Sequence, residues 1–430
     1  MNKFIVLFFL FLTISVSANE MNSKQKQLAQ KEYPTETLYQ LWADYRKNEH
    51  SIIKFYDGLA EKHIVELKKG NPKKATVTYL AKGSSETDYI LQSGGPDFYG
   101  LRFKKIGNSN IYFCIQDIPV DAWFNYGVNE FKRTPSHELN GLDLTTMEHI
   151  YDGAVIGPEA PMSPYIHANQ NVPKGELREV FLDSKFMNEE RKILIYIPAN
   201  YNPQIAHNLI FQFDGEDYSQ GPDEGPAWQG WTPMPTILDN LIHEQKIVPT
   251  IAVFINNQGN RSGDLISKKI TDFVAIELVS WVRSNYNISK NQSDVVVSGA
   301  SRGGFAAANT ALRHPTIVGS VLSQSGSFYY TDKENWPIYP EFEGKLILDY
   351  KKSENRGINF YLEVGLYDLG LGRVGINRQL RDILLLKNYQ VDYYQYKSGH
   401  AHIGWRHTLA KGLLSLLAVQ KTNKSLKQDK

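Results

Sequence analysis

From residue 179 onward, short apolar runs rich in β-branched residues alternate with longer stretches whose apolar positions recur at helical spacing. Lys192 to Ile197, Leu209 to Phe213, Thr250 to Ile255, Val295 to Val297, Val318 to Ser323, Asn359 to Val364 and Val391 to Tyr396 are the predicted strands. Helices are predicted near 236–244, 272–285, 376–387 and 403–417. Strands that are apolar without interruption are buried on both faces, so the pattern predicts an α/β fold with a mostly parallel sheet covered on each side.

The earlier half of the chain reads differently. Between about 75 and 165 the runs are short and alternating, as in Ala75 to Tyr79, Tyr89 to Leu91, Ile111 to Cys114 and Ala122 to Tyr126, with turn signals at Gly94-Gly95-Pro96 and Gly107-Asn108. These predict a small β-sandwich. Leu38, Leu41, Trp42 and Tyr45 share one helical face, with Pro34 just ahead of it. Residues 19–34 are polar and are expected to be disordered or loosely attached. Pro158, Pro161 and Pro164, followed by the polar run His167 to Lys174, read as a linker. The expected organisation is a signal peptide over 1–18, a tail and helical segment over 19–70 and a β-sandwich over 71–165. A linker over 166–176, an α/β domain over 177–420 and a basic tail over 421–430 complete it.

The basic start Met1-Asn2-Lys3, the apolar run Phe4 to Ile14 and the small residues of Val16-Ser17-Ala18 form an export pattern, too short for a membrane span. Export to a periplasm or beyond is expected, without stable membrane insertion. Cys114 is the only cysteine of the 430 residues, which excludes an intramolecular disulfide, a thiolate metal cluster and a Cys-x-x-Cys redox pair. A formal net charge of +1 supplies no global field to recruit nucleic acid, so no nucleic-acid partner is expected.

Candidate chemistry centres on Asp294 to Ala308, which reads as strand, sharp turn and helix. Within it Gly299-Ala300-Ser301-Arg302-Gly303 fits the Gly-x-Ser-x-Gly elbow, in which a strained turn lifts the serine hydroxyl clear of the sheet. Ser301 is the candidate nucleophile. A serine needs a base to take its proton, and the base needs an acid to fix its tautomer. In the order Ser, Asp or Glu, His, both should lie at the ends of later strands. Asp368 follows the strand ending at Val364, and His400 follows the strand ending at Tyr396. Glu363 and His402 are the rival acid and base.

The oxyanion of such a reaction needs two preorganised amides. Arg302 supplies one, and Glu216 or Gly215, after the strand ending at Phe213, is the candidate for the other. Asp214, Glu216, Asp217, Asp223 and Glu224 miss the spacing of an EF-hand and are read as a solvated loop, so no metal is expected. No phosphate-binding glycine loop or His-Glu-x-x-His helix is present, and no cofactor is expected.

With these residues in place, the chain resembles the enterochelin esterase family, whose hydrolase domain belongs to the esterase D group. The most specific pieces are Leu322-Ser-Gln-Ser-Gly-Ser-Phe328, Gly399-His400, Trp405-Arg406 and Gly412-Leu-Leu414. Val77-Thr-Tyr79 to Gly95-Pro-Asp-Phe-Tyr-Gly100 is similar to the family's N-terminal immunoglobulin-like domain. The resemblance implies an α/β-hydrolase domain, with Ser301 as nucleophile, His400 as base and Asp368 at the acidic position. It also implies a small-molecule ester substrate of the catecholate siderophore class, with other acyl esters, such as those of sugars, as the alternative. Two features depart from the family pattern: Arg302, where an apolar residue is usual, and a longer loop from Ser219 to Thr232. That loop carries Trp228 and Trp231, expected with Trp336 to stack on sugar or phenolic rings. Arg261, Arg302 and Arg373 are the cations available to an anionic substrate, with ordinary surface charge as the competing reading for Arg261 and Arg373.

Overall fold

The computed structural model describes residues 22–96, 100–132, 153–220, 231–331, 343–368 and 372–419. The expected signal peptide and the basic tail over 421–430 lie outside them. By internal contacts the chain forms two compact units. One comprises Met1–Gln92, Leu101–Asp117 and Asn129–Glu138; the other comprises Ser93–Gly100, Ile118–Val128 and Leu139–Lys430.

The chain opens with three helices, α1 (Ser23–Glu32), α2 (Glu36–Lys47) and α3 (His50–Gly58). Residues 23–32, expected to be disordered or loosely attached, form α1, which buries only Ala29. Asn22 and Gln25 close a reciprocal capping box at its start, which satisfies two amides that a polar sequence would otherwise leave to water. Helix α2 begins at the cap Thr35 and buries Leu38, Leu41 and Tyr45. These side chains join Ile52, Leu80, Ile106, Ile111 and Phe113 in one apolar cluster.

Eight strands follow: β1 (His63–Leu67), β2 (Lys74–Lys82), β3 (Thr87–Gly94), β4 (Leu101–Arg102), β5 (Lys104–Lys105), β6 (Ile111–Pro119), β7 (Trp123–Lys132) and β8 (Gly153–Ile156). They form two four-stranded sheets, ordered β1-β2-β6-β5 and β4-β3-β7-β8, the N-terminal β-sandwich anticipated from the alternating runs.

The third sheet has eight strands in the order β16-β15-β14-β13-β11-β12-β10-β9. They are β9 (Glu176–Ser184), β10 (Glu189–Ile197), β11 (Asn208–Phe213), β12 (Thr250–Ile255), β13 (Val295–Ala300), β14 (Ser320–Gln324), β15 (Asn359–Gly365) and β16 (Gln390–Tyr396). From β11 to β16 all neighbours pair in parallel, while β9 and β10 are antiparallel. The helices are α4 (Gly215–Tyr218), α5 (Met234–His243), α6 (Arg261–Asp264), α7 (Lys268–Asp272), α8 (Val279–Asn285), α9 (Arg302–Arg313), α10 (Lys345–Lys352), α11 (Gly372–Leu386) and α12 (His402–Leu417). A π-helical stretch over Phe273–Leu278 joins α7 to α8. No helix among the described residues is long and apolar enough to cross a membrane.

Strands β11, β12 and β13 are buried at every residue. Two separate apolar clusters flank the sheet. Phe211, Val297, Phe305 and Ala307 belong to one; Ile210, Val296, Leu322 and Leu409 belong to the other. Successive strand residues fall into opposite clusters because side chains alternate across a pleat. This double burial is why the strands read as unbroken apolar runs.

Candidate active site

The carboxyl ends of β11, β13, β14, β15 and β16 each deliver part of one polar cluster, as open parallel sheets generally do. Ser301, between β13 and α9, has φ 57° and ψ −119°. A Cβ on Gly299 would lie 2.5 Å from the backbone carbon of Gly303, so only glycine lets the strand end and helix start pass this closely. Asp214 (φ 57°) and Ser325 (φ 53°) surround the same cluster. Such conformations cost about 1–3 kcal/mol each and persist where the surroundings fix them.

Asp368 and His400 come together as expected. His400 Nδ1 lies 3.0 Å from Asp368 Oδ2, and the acid's side chain is fully buried. Their loops are joined by backbone bonds, Leu366 N–H to the Tyr396 carbonyl at 2.8 Å and Tyr367 N–H to the Ser398 carbonyl at 3.1 Å. A Cβ on Gly365 would lie 2.3 Å from that Ser398 oxygen, so the close approach requires glycine. The start of β7 braces the same place. Trp123 N–H donates to the Lys397 carbonyl at 3.0 Å, Lys397 Nζ pairs with Asp121 at 2.7 Å, and Phe124 meets the Tyr367 ring edge-on at 5.4 Å.

Burial alone would raise the Asp368 carboxyl, but His400 and Arg373 beside it hold it below the usual range. Burial pushes the His400 imidazole down, and Arg373 pushes further in that direction against the opposing pull of Asp368. The resting pair is therefore a carboxylate beside a neutral imidazole, the state a general base needs.

The rivals sit elsewhere. His402 Nδ1 lies 3.1 Å from Thr232 Oγ1, and burial, reinforced by His400 and Arg406, lowers it to about 3. Glu363 is sealed within β15, where it accepts from Gln324 Nε2 (2.7 Å), Tyr361 Oη (2.9 Å) and Thr408 Oγ1 (2.5 Å). Burial raises its carboxyl to about 7 despite those donors. A carboxyl with a raised native pKa holds its proton in the fold where the unfolded chain has lost it. Its stabilising contribution is present below about pH 4.5 and is lost as pH rises through about 7. Replacing it by the uncharged isostere, Glu363→Gln, is expected to flatten stability against pH across that window, as measured by urea unfolding at pH 5 and pH 8. An unchanged pH slope would contradict this.

The acidic loop after β11 departs from the solvated expectation. Asp214 is buried and takes two bonds from Arg261, Nε to Oδ1 at 2.5 Å and Nη2 to Oδ2 at 2.7 Å. Glu216 accepts from the Asn257 backbone amide at 3.1 Å and from Asn257 Nδ2 at 2.5 Å. Asp214 is neutralised by a cation, and Glu216 is hydrogen-bonded by an amide, more than forty positions downstream, which local spacing does not reveal. Burial, with Asp214 and Glu216 adding repulsion, raises Asp217 to about 7. Asp223 and Glu224 lie outside the described residues, and among the described residues no group of three or more His, Cys, Asp or Glu side chains is arranged to hold a metal.

Arg302 begins α9, and Gly215 and Glu216 begin α4; helix starts direct amides outward without intrahelical acceptors. A Cβ on Gly303 would meet Asp214 Oδ2 and the Phe213 Cβ at 3.2 Å, which places the end of β11 against the first turn of α9. Trp231 is partly buried, with no hydrogen-bond partner for Nε1 among the described residues; Trp228 and Trp336 lie outside them.

Arg261 is partly exposed and paired with Asp214, whereas Arg373 is not a surface charge. Arg373 is 2% exposed and donates from Nη1 to Ser325 O (3.0 Å), Ser327 Oγ (2.5 Å) and Ser301 Oγ (3.4 Å). Ser325 and Ser327 carry roles in this cluster that residue pattern alone did not assign. The only hint was the density of hydroxyls in Ser323-Gln324-Ser325-Gly326-Ser327, directly after a buried strand.

A profile of the family described as putative esterase matches residues 184–416, more than half of the chain. The chain belongs to the putative esterase family. This esterase-family chain is 27% identical over 266 residues to iron(III) enterobactin esterase of Escherichia coli K12, a match covering 60% of this chain and 61% of that relative. It is 23% identical over 260 residues to YjcH of Bacillus subtilis, covering 56% of this chain and 98% of that protein. It thus spans about 61% of the length of the enterobactin esterases it matches. The enterochelin esterase of Shigella flexneri superposes with a TM-score of 0.69 at 19% identity, over 84% of this chain and 97% of that one. The ferric enterobactin esterase of Salmonella typhimurium gives 0.68 at 18% identity, over 85% and 98%. These structural likenesses establish a shared fold, the β-sandwich followed by an α/β-hydrolase sheet.

Proposed function

We propose that this protein is an exported serine ester hydrolase, with Ser301 as nucleophile, His400 as base and Asp368 as the acid that orients it. The reading is carried by one observation: a serine on a positive-φ elbow at the carboxyl end of the sheet, joined through Arg373 to a buried carboxylate paired with a histidine. His400 accepts the Ser301 proton as the hydroxyl oxygen bonds to the ester carbonyl carbon. The backbone amides of Arg302 and Glu216 hold the resulting oxyanion. The C–O bond to the leaving alcohol breaks as His400 returns the proton to it, and water repeats the cycle on the acyl-enzyme.

The substrate class we infer is a catecholate siderophore ester. Support comes from the enterobactin esterases among the relatives and from cations around Ser301. Arg302 stands near Arg261 and Arg373, where burial first and both neighbours next lower its pKa; with Arg261 paired to Asp214 and Arg373 facing Asp368, Arg302 is the cation we propose meets an anionic ligand. Trp228 and Trp231 are proposed to line the acyl-binding surface. Hydrolysis of a catecholate trilactone, iron-loaded and iron-free, is expected to exceed that of feruloylated or acetylated sugar by at least about tenfold in kcat/KM. The reverse ranking would assign a carbohydrate acyl esterase. A Ser301 that fails to react with a fluorophosphonate probe would leave a binding protein without turnover.

A further inference from the structure

The most unusual group in the cluster is a buried guanidinium with no carboxylate at hydrogen-bonding distance among the described residues. Arg373 reaches inward from α11, and its positive charge is held by neutral oxygens: the Ser325 carbonyl, the Ser327 hydroxyl and, from Nη2, the Tyr329 hydroxyl at 3.2 Å. The Tyr329 ring lies 5.0 Å from the guanidinium carbon. Its Nε faces Asp368 Oδ1 at 3.9 Å, and neither atom has a hydrogen-bond partner among the described residues. A buried donor and a buried acceptor left open side by side are costly to both, so neighbouring hydroxyls and carbonyls must fix the arrangement.

We propose that Arg373 is a positioning residue for the ester hydrolysis assigned above, a single side chain that fixes the nucleophile's hydroxyl and the acid's carboxylate relative to each other. The inference rests on that reading of Ser301, His400 and Asp368. Nη1 lies 3.4 Å from Ser301 Oγ, a long contact beside its shorter bonds to Ser325 O and Ser327 Oγ, and its positive charge favours a hydroxyl proton turned away from the guanidinium. Nε stands against the carboxylate oxygen that His400 does not use. Asp368 is thus hydrogen-bonded to His400 at Oδ2 and faces the Arg373 cation at Oδ1, with Ser325 also acting on the carboxylate.

The same charge bears on the base. Among the described residues, Asp368, Arg373, Arg261 and His402 act on His400, and of these four Asp368 favours its protonation. A positive charge at Arg373 disfavours imidazolium in the resting enzyme, keeping the base neutral to lower pH. Once Ser301 attacks, the negative oxyanion forms near that charge and offsets its repulsion of the new imidazolium.

The test measures p-nitrophenyl acetate hydrolysis against pH in the full chain, for wild type, Arg373→Met and Arg373→Lys. Arg373→Met is expected to lower kcat about 10- to 100-fold with a smaller change in KM, and to move the acidic limb of kcat/KM to higher pH. Arg373→Lys keeps the charge but not the fork; its kcat is expected to fall while its acidic limb stays near that of wild type. Wild-type kcat and an unmoved limb in Arg373→Met would overturn the proposal, as would a limb displaced equally in both variants. Should the methionine variant lose its cooperative melting transition, the lysine variant decides: wild-type turnover in it refutes the positioning role. Ser301→Ala, run alongside, separates the two readings, because activity surviving in that variant removes the nucleophile rather than the role of Arg373.

Discussion

Ser301→Ala is expected to lower ester turnover by about four to six orders of magnitude while the protein keeps its melting transition. The size of the loss follows from the proposed chemistry: without the hydroxyl no acyl-enzyme would form, and water would attack unaided except by the proposed oxyanion amides and base. The fold should be spared because the backbone of the elbow is fixed from outside the side chain. The Ser301 amide donates to the Gln324 carbonyl at 2.9 Å and its carbonyl accepts from the Ser327 amide at 2.9 Å, and alanine keeps both. What alanine gives up is two long contacts, 3.3 Å to Ser327 Oγ and 3.4 Å to Arg373 Nη1. Initial rates on p-nitrophenyl acetate and a thermal melt settle it; turnover within tenfold of wild type would remove Ser301 as nucleophile.

What could be read from residue order divides along a physical line. Strands β11 to β15 were legible because they are buried on both faces, so composition alone marks them. The elbow was legible because its geometry demands glycine at 299 and leaves little room at 303. Asp368 and His400 were placed by their position after strand ends, where a parallel sheet gathers its functional groups. Strand β9 was not legible, because Glu176, Arg178 and Glu179 lie on the outer strand of the sheet, exposed to water like a loop. Helix α1 was missed because a single buried residue, Ala29, and a capping box carry it, with no apolar stripe. Arg373 is the instructive case. An arginine on a helix reads as surface unless one knows that Ser325, Ser327 and Tyr329, more than forty positions upstream, turn their oxygens toward it. Long-range hydrogen bonding of this kind leaves no local mark, and the Asp214–Arg261 pair escaped because its partners too are far apart in sequence.

Asp368→Asn is expected to cost about 10⁴-fold in kcat, whereas Glu363→Gln, five residues earlier, should leave kcat within about tenfold of wild type. The two acids are both wholly buried, so burial does not separate them; what they touch does. In the proposed mechanism Asp368 Oδ2, 3.0 Å from His400 Nδ1, accepts its proton and so leaves the other ring nitrogen unprotonated to receive the serine proton. An amide turned with its NH2 toward Nδ1 would favour the opposite tautomer, with a proton already on the nitrogen that must accept one. The substitution also removes the negative charge 3.9 Å from Arg373 Nε, leaving a buried cation uncompensated, so a lower melting temperature should accompany the lost activity. Glu363 instead bonds Gln324, Tyr361 and Thr408, a set that ties β14, β15 and α12 together beneath the site. Its glutamine variant should therefore show altered stability against pH and an intact catalytic rate. Steady-state kinetics on both variants decide between the acids: a glutamine variant as inactive as the asparagine one would move the acid's role into the sheet, and an active asparagine variant would leave His400 without the partner that sets its tautomer.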